Sequence, residues 1–132
     1  MSSTENKQLV EAIFAELAQG NSRPLVEAMA EDFRWTVTGT TQWSKTYAGK
    51  QAVVNELFGT LRSRIAGRIK TIADRLIAED DHVVVEARGS NTTIAGQPYN
   101  NRYCFVFRLS GGKLQEVTEY LDTELVTRTL RE

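Results

Sequence analysis

The chain predicts an α+β fold in which helices cover one face of a curved antiparallel sheet, and three observations lead there. Apolar residues recur at helical intervals in the first half, the spacing turns to alternation from Arg68 onward, and the pairs Asp80-Asp81, Ala95-Gly96 and Gly111-Gly112 cut the alternating half into hairpins. At 132 residues a single domain suffices, and one of this size buries roughly two thirds of its unfolded surface.

Ser2-Ser3-Thr4-Glu5 has the spacing of a capping box, and Leu9, Val10, Ile13, Phe14 and Leu17 continue at helical intervals until Gly20-Asn21. Ser22 and Pro24 open a short helix with Leu25, Val26 and Met29, since proline suits a first turn where its missing N–H is not needed. Phe33 to Thr38 reads as a strand. The loop that follows, residues 39–49, puts Trp43 and Tyr47 among small polar residues, and large aromatics there need something to cover. Val53, Val54, Leu57, Phe58, Leu61 and Ile65 mark a third amphipathic helix after Gly49. The strands then fall at Arg68 to Ala78, His82 to Thr93, Pro98 to Leu109 and Lys113 to Asp122, and Glu124 to Glu132 closes as a short helix.

Composition narrows the function classes. Charged residues make up 25% and apolar residues 41% with a net charge of −1, which favours neither disorder nor nucleic-acid binding. One cysteine, Cys104, and one histidine, His82, offer neither an intramolecular disulfide nor a zinc cluster, so the expectation is a reducing cytoplasm and no metal. The polar, then amphipathic start lacks the pattern of a signal peptide, and no apolar stretch reaches membrane-spanning length.

The richest segment is Tyr99 to Thr123. Alternation puts Val117, Glu119 and Leu121 on one face of a strand, so a lone carboxylate stands between apolar neighbours. Tyr99, Asn101, Tyr103, Phe105 and Phe107 share a face of the preceding strand, the pattern of a mostly apolar cavity with a few polar handles. The stretch from Tyr103 to Phe107 is also apolar on its other face, through Cys104 and Val106. Helices on one side leave that face bare, and a second copy of the chain is the expected cover.

The order of elements, with the WTVTG strand end, the YAGKQAVVNEL helix entry and the YNNRY…GGKLQEVTEYLDT finish, resembles the SnoaL-like branch of the nuclear transport factor 2-like superfamily over nearly the whole chain. The resemblance implies a cone: a strongly bent antiparallel sheet wrapped around N-terminal helices, enclosing a pocket, with a homodimer formed through the convex sheet face. It implies no cofactor. The reaction is left open, because this superfamily includes isomerases, cyclases, dehydratases, hydrolases and non-catalytic binders. Ketosteroid isomerase, a member of this shape, would place its base near Thr38, its oxyanion tyrosine near Ile13 and its neutral aspartate near Phe105, and none of the three groups is present. Similarity to limonene epoxide hydrolase aligns its base with Glu119 and its arginine with Arg88, but puts Ser90, Trp35 and Val37 where its second acid, tyrosine and asparagine stand.

Glu119 and Arg88 are therefore the catalytic candidates. Apolar surroundings disfavour a charged carboxylate and raise its pKa toward the range of general acid–base work, while Arg88 would hold Glu119 ionised or grip a substrate oxygen. Tyr99, Asn101 and Tyr103 are candidate donors to a substrate oxygen, against the alternative of core packing with their polar ends satisfied locally. Trp35, Trp43, Tyr47 and Phe58 would form the wall and lid for a small apolar or aromatic ligand. Asp122 is expected to cap the last helix. Two function classes remain: a cofactor-independent isomerase or cyclase moving a proton beside a carbonyl, and a non-catalytic ligand-binding or protein-interaction module.

Overall fold

The computed structural model describes residues 1–130. Helix α1 (Ser3–Leu17) begins at the capping box: the Ser2 hydroxyl accepts from the Glu5 N–H at 3.1 Å and the Glu5 carboxylate accepts from the Ser2 N–H at 3.0 Å. Val10, Ile13 and Phe14 form its buried face. Gly20, at a φ of +84°, supplies the left-handed residue that ends the run. Helix α2 (Arg23–Ala28) carries its proline in the first turn and leads directly into strand β1 (Met29–Val37).

The loop after β1 contains a short strand, β2 (Thr46–Ala48), paired antiparallel to β1. Helix α3 (residues 50–62) has a π-helical centre, Val53–Phe58, between α-helical ends. It stops at Arg62, and Ile65, expected on this helix, begins strand β3 (Ile65–Ala66) instead. Strands β4 (Thr71–Glu79), β5 (His82–Gly89), β6 (Thr92–Thr93), β7 (Arg102–Ser110) and β8 (Lys113–Leu121) complete the sheets. Both residues of the β7–β8 turn, Gly111 and Gly112, take positive φ, the geometry of a tight hairpin that only glycine adopts freely. Helix α4 (Thr123–Thr129) is capped by Asp122, whose carboxylate accepts from the N–H groups of Glu124 and Leu125. The expected extension of this helix to Glu132 lies, in its last two positions, outside the described residues.

The main sheet runs β2-β1-β8-β7-β5-β4, with a small β3-β6 pair beside it. All neighbours are antiparallel except β1 and β8, which pair in parallel because β1 inserts beside β8 after a long excursion. Register shifts in β1, in β4 and at Arg108/Leu109 mark bulges, and these bend the sheet. Helix α1 packs on β4 and β5, and α3 on β1 and β2, all inside the curve.

Register sorts the two faces. Inward, Val37, Glu119, Phe105, Val85 and Leu76 line up across five strands. Outward, Thr46, Thr36, Thr118, Val106, Val84 and Ile77 form one row across all six strands, every member β-branched and uncharged. The neighbouring outward row is charged, with Arg34, Glu116, Arg108, His82 and Glu79.

Candidate functional site

The inner face of the sheet and the helices enclose a cavity of about 320 Å³, lined largely by apolar side chains. Among the described residues, Glu119 is the sole carboxylate that lines this cavity. It sits at the centre of the inner face because β8 alternates, pairing with Phe105 on one side and Val37 on the other. Its exposure is 9%. The indole N–H of Trp35 donates to Glu119 Oε1 at 2.8 Å, and no donor among the described residues is recorded at Oε2, which leaves that oxygen for a ligand. Burial raises the carboxyl pKa from 4.5 to about 7, and the Trp35 hydrogen bond pulls it down only in part. The group therefore both holds and releases a proton near neutrality.

The backbone at this point is fixed as well. The Glu119 carbonyl accepts from the Thr38 N–H at 3.1 Å and from the Thr38 hydroxyl at 2.9 Å, which ties the end of β1 to β8. Trp35 is wedged edge-on against Phe58 and Phe105, with ring centroids 5.4 and 6.1 Å away. This contact holds the indole where its N–H meets the carboxylate.

Tyr99 and Tyr103 line the same cavity. Burial pushes the Tyr99 phenol up to about 12 and the Tyr103 phenol well above its ordinary value, with the nearby Glu119 charge acting in the same direction in both. Both stay protonated at any physiological pH, the Tyr103 hydroxyl donates to the Tyr99 oxygen, and Tyr99 keeps its own O–H to donate. Tyr103 stacks on Phe105 at 5.1 Å, so its ring belongs to the apolar wall. Trp43 and Phe58 also line the cavity.

Three candidates lie elsewhere. Arg88 does not reach Glu119: Ala87 is the inward residue of that part of β5, so alternation turns Arg88 to the outer face, where its Nε donates to Asp74 at 3.1 Å. Asn101 is fully buried but is consumed by the backbone. Its Oδ1 accepts from the N–H groups of Arg102 at 2.7 Å and Asp122 at 3.0 Å, and its Nδ2 donates to the Asp122 carbonyl and the Tyr99 hydroxyl, each at 3.1 Å. Tyr47 is buried behind the wall, its phenol donating to the Trp43 carbonyl at 3.0 Å, so it braces the loop that carries Trp43.

Sequence reasoning missed two sets of lining residues. Val126 and Leu130 close one end of the cavity, and the Leu130 carbonyl accepts from the Trp43 indole at 3.4 Å. Their period on α4 is visible in the sequence, but nothing local says that this helix folds back over the sheet. Arg62 and Arg68 line the cavity while exposed to solvent, so they mark its opening. The visible trace was a run of four cations, Arg62, Arg64, Arg68 and Lys70, with no acid between Glu56 and Asp74. No group of three His, Cys, Asp or Glu side chains among the described residues could hold a metal ion, and no helix there is long and apolar enough to cross a membrane.

Solved structures share this fold. An NTF2-like protein from Burkholderia thailandensis E264 superposes with a TM-score of 0.83 at 22% identity, covering 100% of both chains. A provisionally named SnoaL-like polyketide cyclase from Jannaschia sp. CCS1 gives 0.80 at 20% identity over 96% of this chain and 92% of that one. TerC, crystallised with polyporic acid, gives 0.79 at 17% identity over 97% and 99%. Among curated proteins none matches the chain. The family model of the SnoaL-like domain matches residues 10–117, from α1 through most of β8. With that span, well over half of its length, matched by the family model, the chain belongs to the SnoaL-like domain family.

Proposed function

We propose that this chain binds a small, largely apolar molecule in the cavity and moves a proton beside a carbonyl group, with Glu119 as the general base and acid. One observation carries the reading: Glu119, the sole carboxylate among the described residues that line an apolar cavity, has a proton affinity matched to neutral pH. Tyr99, a neutral donor in the same cavity backed by the hydroxyl of Tyr103, would stabilise the oxyanion that forms when a proton leaves the adjacent carbon. Return of the proton to another carbon gives an isomer, whereas attack of the enolate carbon on a second carbonyl of the same molecule, whose oxygen then takes the proton from Glu119, gives a cyclised compound; neither course needs a cofactor. The reading includes a cytoplasmic homodimer in which a second copy covers the outer β-branched row.

The test needs no knowledge of the natural substrate. A panel of cyclic and aryl ketones is incubated in D2O with the protein, and exchange of α-hydrogens is followed by NMR. We expect exchange above background for the wild type and a loss of roughly 10²- to 10⁴-fold in Glu119→Gln, which keeps the shape but lacks a base. Bound ketones without any exchange would overturn the enzymatic reading.

A second reading, a non-catalytic binder, is favoured by a specific observation. The positions matching the three ketosteroid isomerase groups hold Thr38, Ile13 and Phe105, and Arg88 faces outward, so Glu119 has no charged partner in the cavity. Under that reading Glu119→Gln alters affinity modestly and no exchange is seen.

A further inference from the structure

We infer that the ligand of this cavity is an amphiphilic anion: an apolar body that enters toward Glu119, carrying an oxyanion, carboxylate or phosphate, that stays at the opening between Arg62 and Arg68. The inference rests on the reading of the cavity as a ligand site and adds the class of molecule that fits it. Among the described residues, Arg62 and Arg68 are the only lysine or arginine side chains lining the cavity. Neither pairs with a carboxylate among the described residues, so both are open to an anion; Arg23, Arg75, Arg88 and Arg108 are each paired, while Arg34, Arg64, Arg102 and Arg128, also without a carboxylate, do not line the cavity. Two guanidinium groups lining an apolar cavity, without a carboxylate partner among the described residues, would suit the planar oxyanion that arginine binds through two parallel N–H groups.

A second cavity continues this polarity. It is lined by Gly67, Arg68, Lys70, Ser90, Asn91 and Asn100 among others, with no acidic residue, and it shares Gly67 and Arg68 with the first. One side of Arg68 thus meets an apolar chamber and the other a cationic, hydroxyl- and amide-rich one. An amphiphile would span that junction with each part in the matching solvent.

The segment that bears the cations is held in place. Asn91, 8% exposed, clamps the Lys70 backbone from both sides: its Oδ1 accepts from the Lys70 N–H at 2.8 Å and its Nδ2 donates to the Lys70 carbonyl at 3.1 Å. Gly20 lies beneath the Arg68 stem so closely that a Cβ there would sit 2.6 Å from the Arg68 Cβ. The absence of a side chain at the end of α1 is what lets the arginine lie across the opening.

The experiment uses three probes that share a naphthyl body: 2-naphthylacetate, its neutral amide 2-naphthylacetamide, and 2-naphthyl phosphate. Binding is measured by titration calorimetry at low and at physiological salt. We expect one or both oxyanions to bind about tenfold more tightly than the amide at low salt, with a smaller margin at high salt because the arginines are solvent-exposed. The preferred oxyanion names the head group. Arg62→Gln with Arg68→Gln should erase the preference, bringing the oxyanions to the affinity of the amide for the same variant, Arg68→Lys should retain part of it, and Arg75→Gln, the same charge change on the outer face, should leave it intact. Equal binding of amide and anions by the wild type would overturn this inference and spare the cavity reading. A preference that survives the double substitution would also overturn it, and failure of all three probes to bind would sink both.

Discussion

Burial sets the proton affinity of Glu119, and it also makes the charge of that residue a cost to the fold. In the unfolded chain the carboxyl ionises near 4.5 and in the folded chain near 7, so between those values the folded state keeps a proton that the unfolded state has lost. The stability owed to this residue is therefore full below pH 4.5, falls as pH rises and levels off above 7, the reverse of the usual salt-bridged carboxylate. The rise from 4.5 to about 7 corresponds to about 3 kcal/mol. Glu119→Gln should stabilise the protein by an amount of that order at pH 8 and have little effect at pH 4, as read from urea unfolding at the two pH values. A variant that loses stability at pH 8 would show that the ionised carboxylate has a partner. Much of this was legible beforehand, since alternation alone placed Glu119 between Val117 and Leu121. What alternation could not supply was the indole of Trp35, which comes from a strand 84 residues away in sequence. Arg88 failed for the opposite reason: a motif correspondence gave it a role, while alternation along its own strand sends it to the outer face.

At the scale of elements, the joints hold the least legible information. Asn101 looks like a ligand handle in sequence because it shares parity with Tyr99 and Tyr103, yet it stands just before β7 begins and pins that strand to the junction of β8 and α4 through Asp122. Asn101→Ala would leave the part-buried N–H groups of Arg102 and Asp122 without their acceptor and remove a fully buried amide, and we expect a loss of about 2 kcal/mol in chemical denaturation. A drop below about 1 kcal/mol would mean that water takes over the amide's bonds. Helix α3 shows the same limit of local patterns. Val53, Leu57 and Leu61 predict a regular amphipathic helix, but the centre widens to a π turn and the helix ends before Ile65. A π turn accommodates an extra residue per turn, and it sets the angle at which Leu57 and Phe58 meet the cavity. The helix caps, the Gly111-Gly112 hairpin and the strand boundaries, by contrast, are encoded within a few residues and were readable to within a few positions.

For the whole molecule, the outer row of three threonines, two valines and an isoleucine is the face a second copy would cover. β-Branched side chains lie flat and stiff on a pleated surface, and the charged row beside them would fix the register of the two sheets. Light scattering at micromolar concentration should give twice the chain mass, and Val106→Glu, at the middle of the row, should give the monomer with its fold retained. A wild-type monomer would leave that row to solvent. The parallel contact of β1 with β8 also has a kinetic consequence. The β7–β8 hairpin closes over two residues, whereas β1 must wait for a partner more than half the chain away, and contacts of such separation are entropically expensive to form early. The bond from Trp35 to Glu119 should accordingly be absent from the folding transition state. Trp35→Phe should speed unfolding while leaving the refolding rate nearly unchanged, whereas a destabilising change in the β7–β8 turn, such as Gly112→Ala, should slow refolding. The clasp that gives the buried acid its place would then govern how long each molecule stays folded, and an occupant of the cavity would lengthen that lifetime.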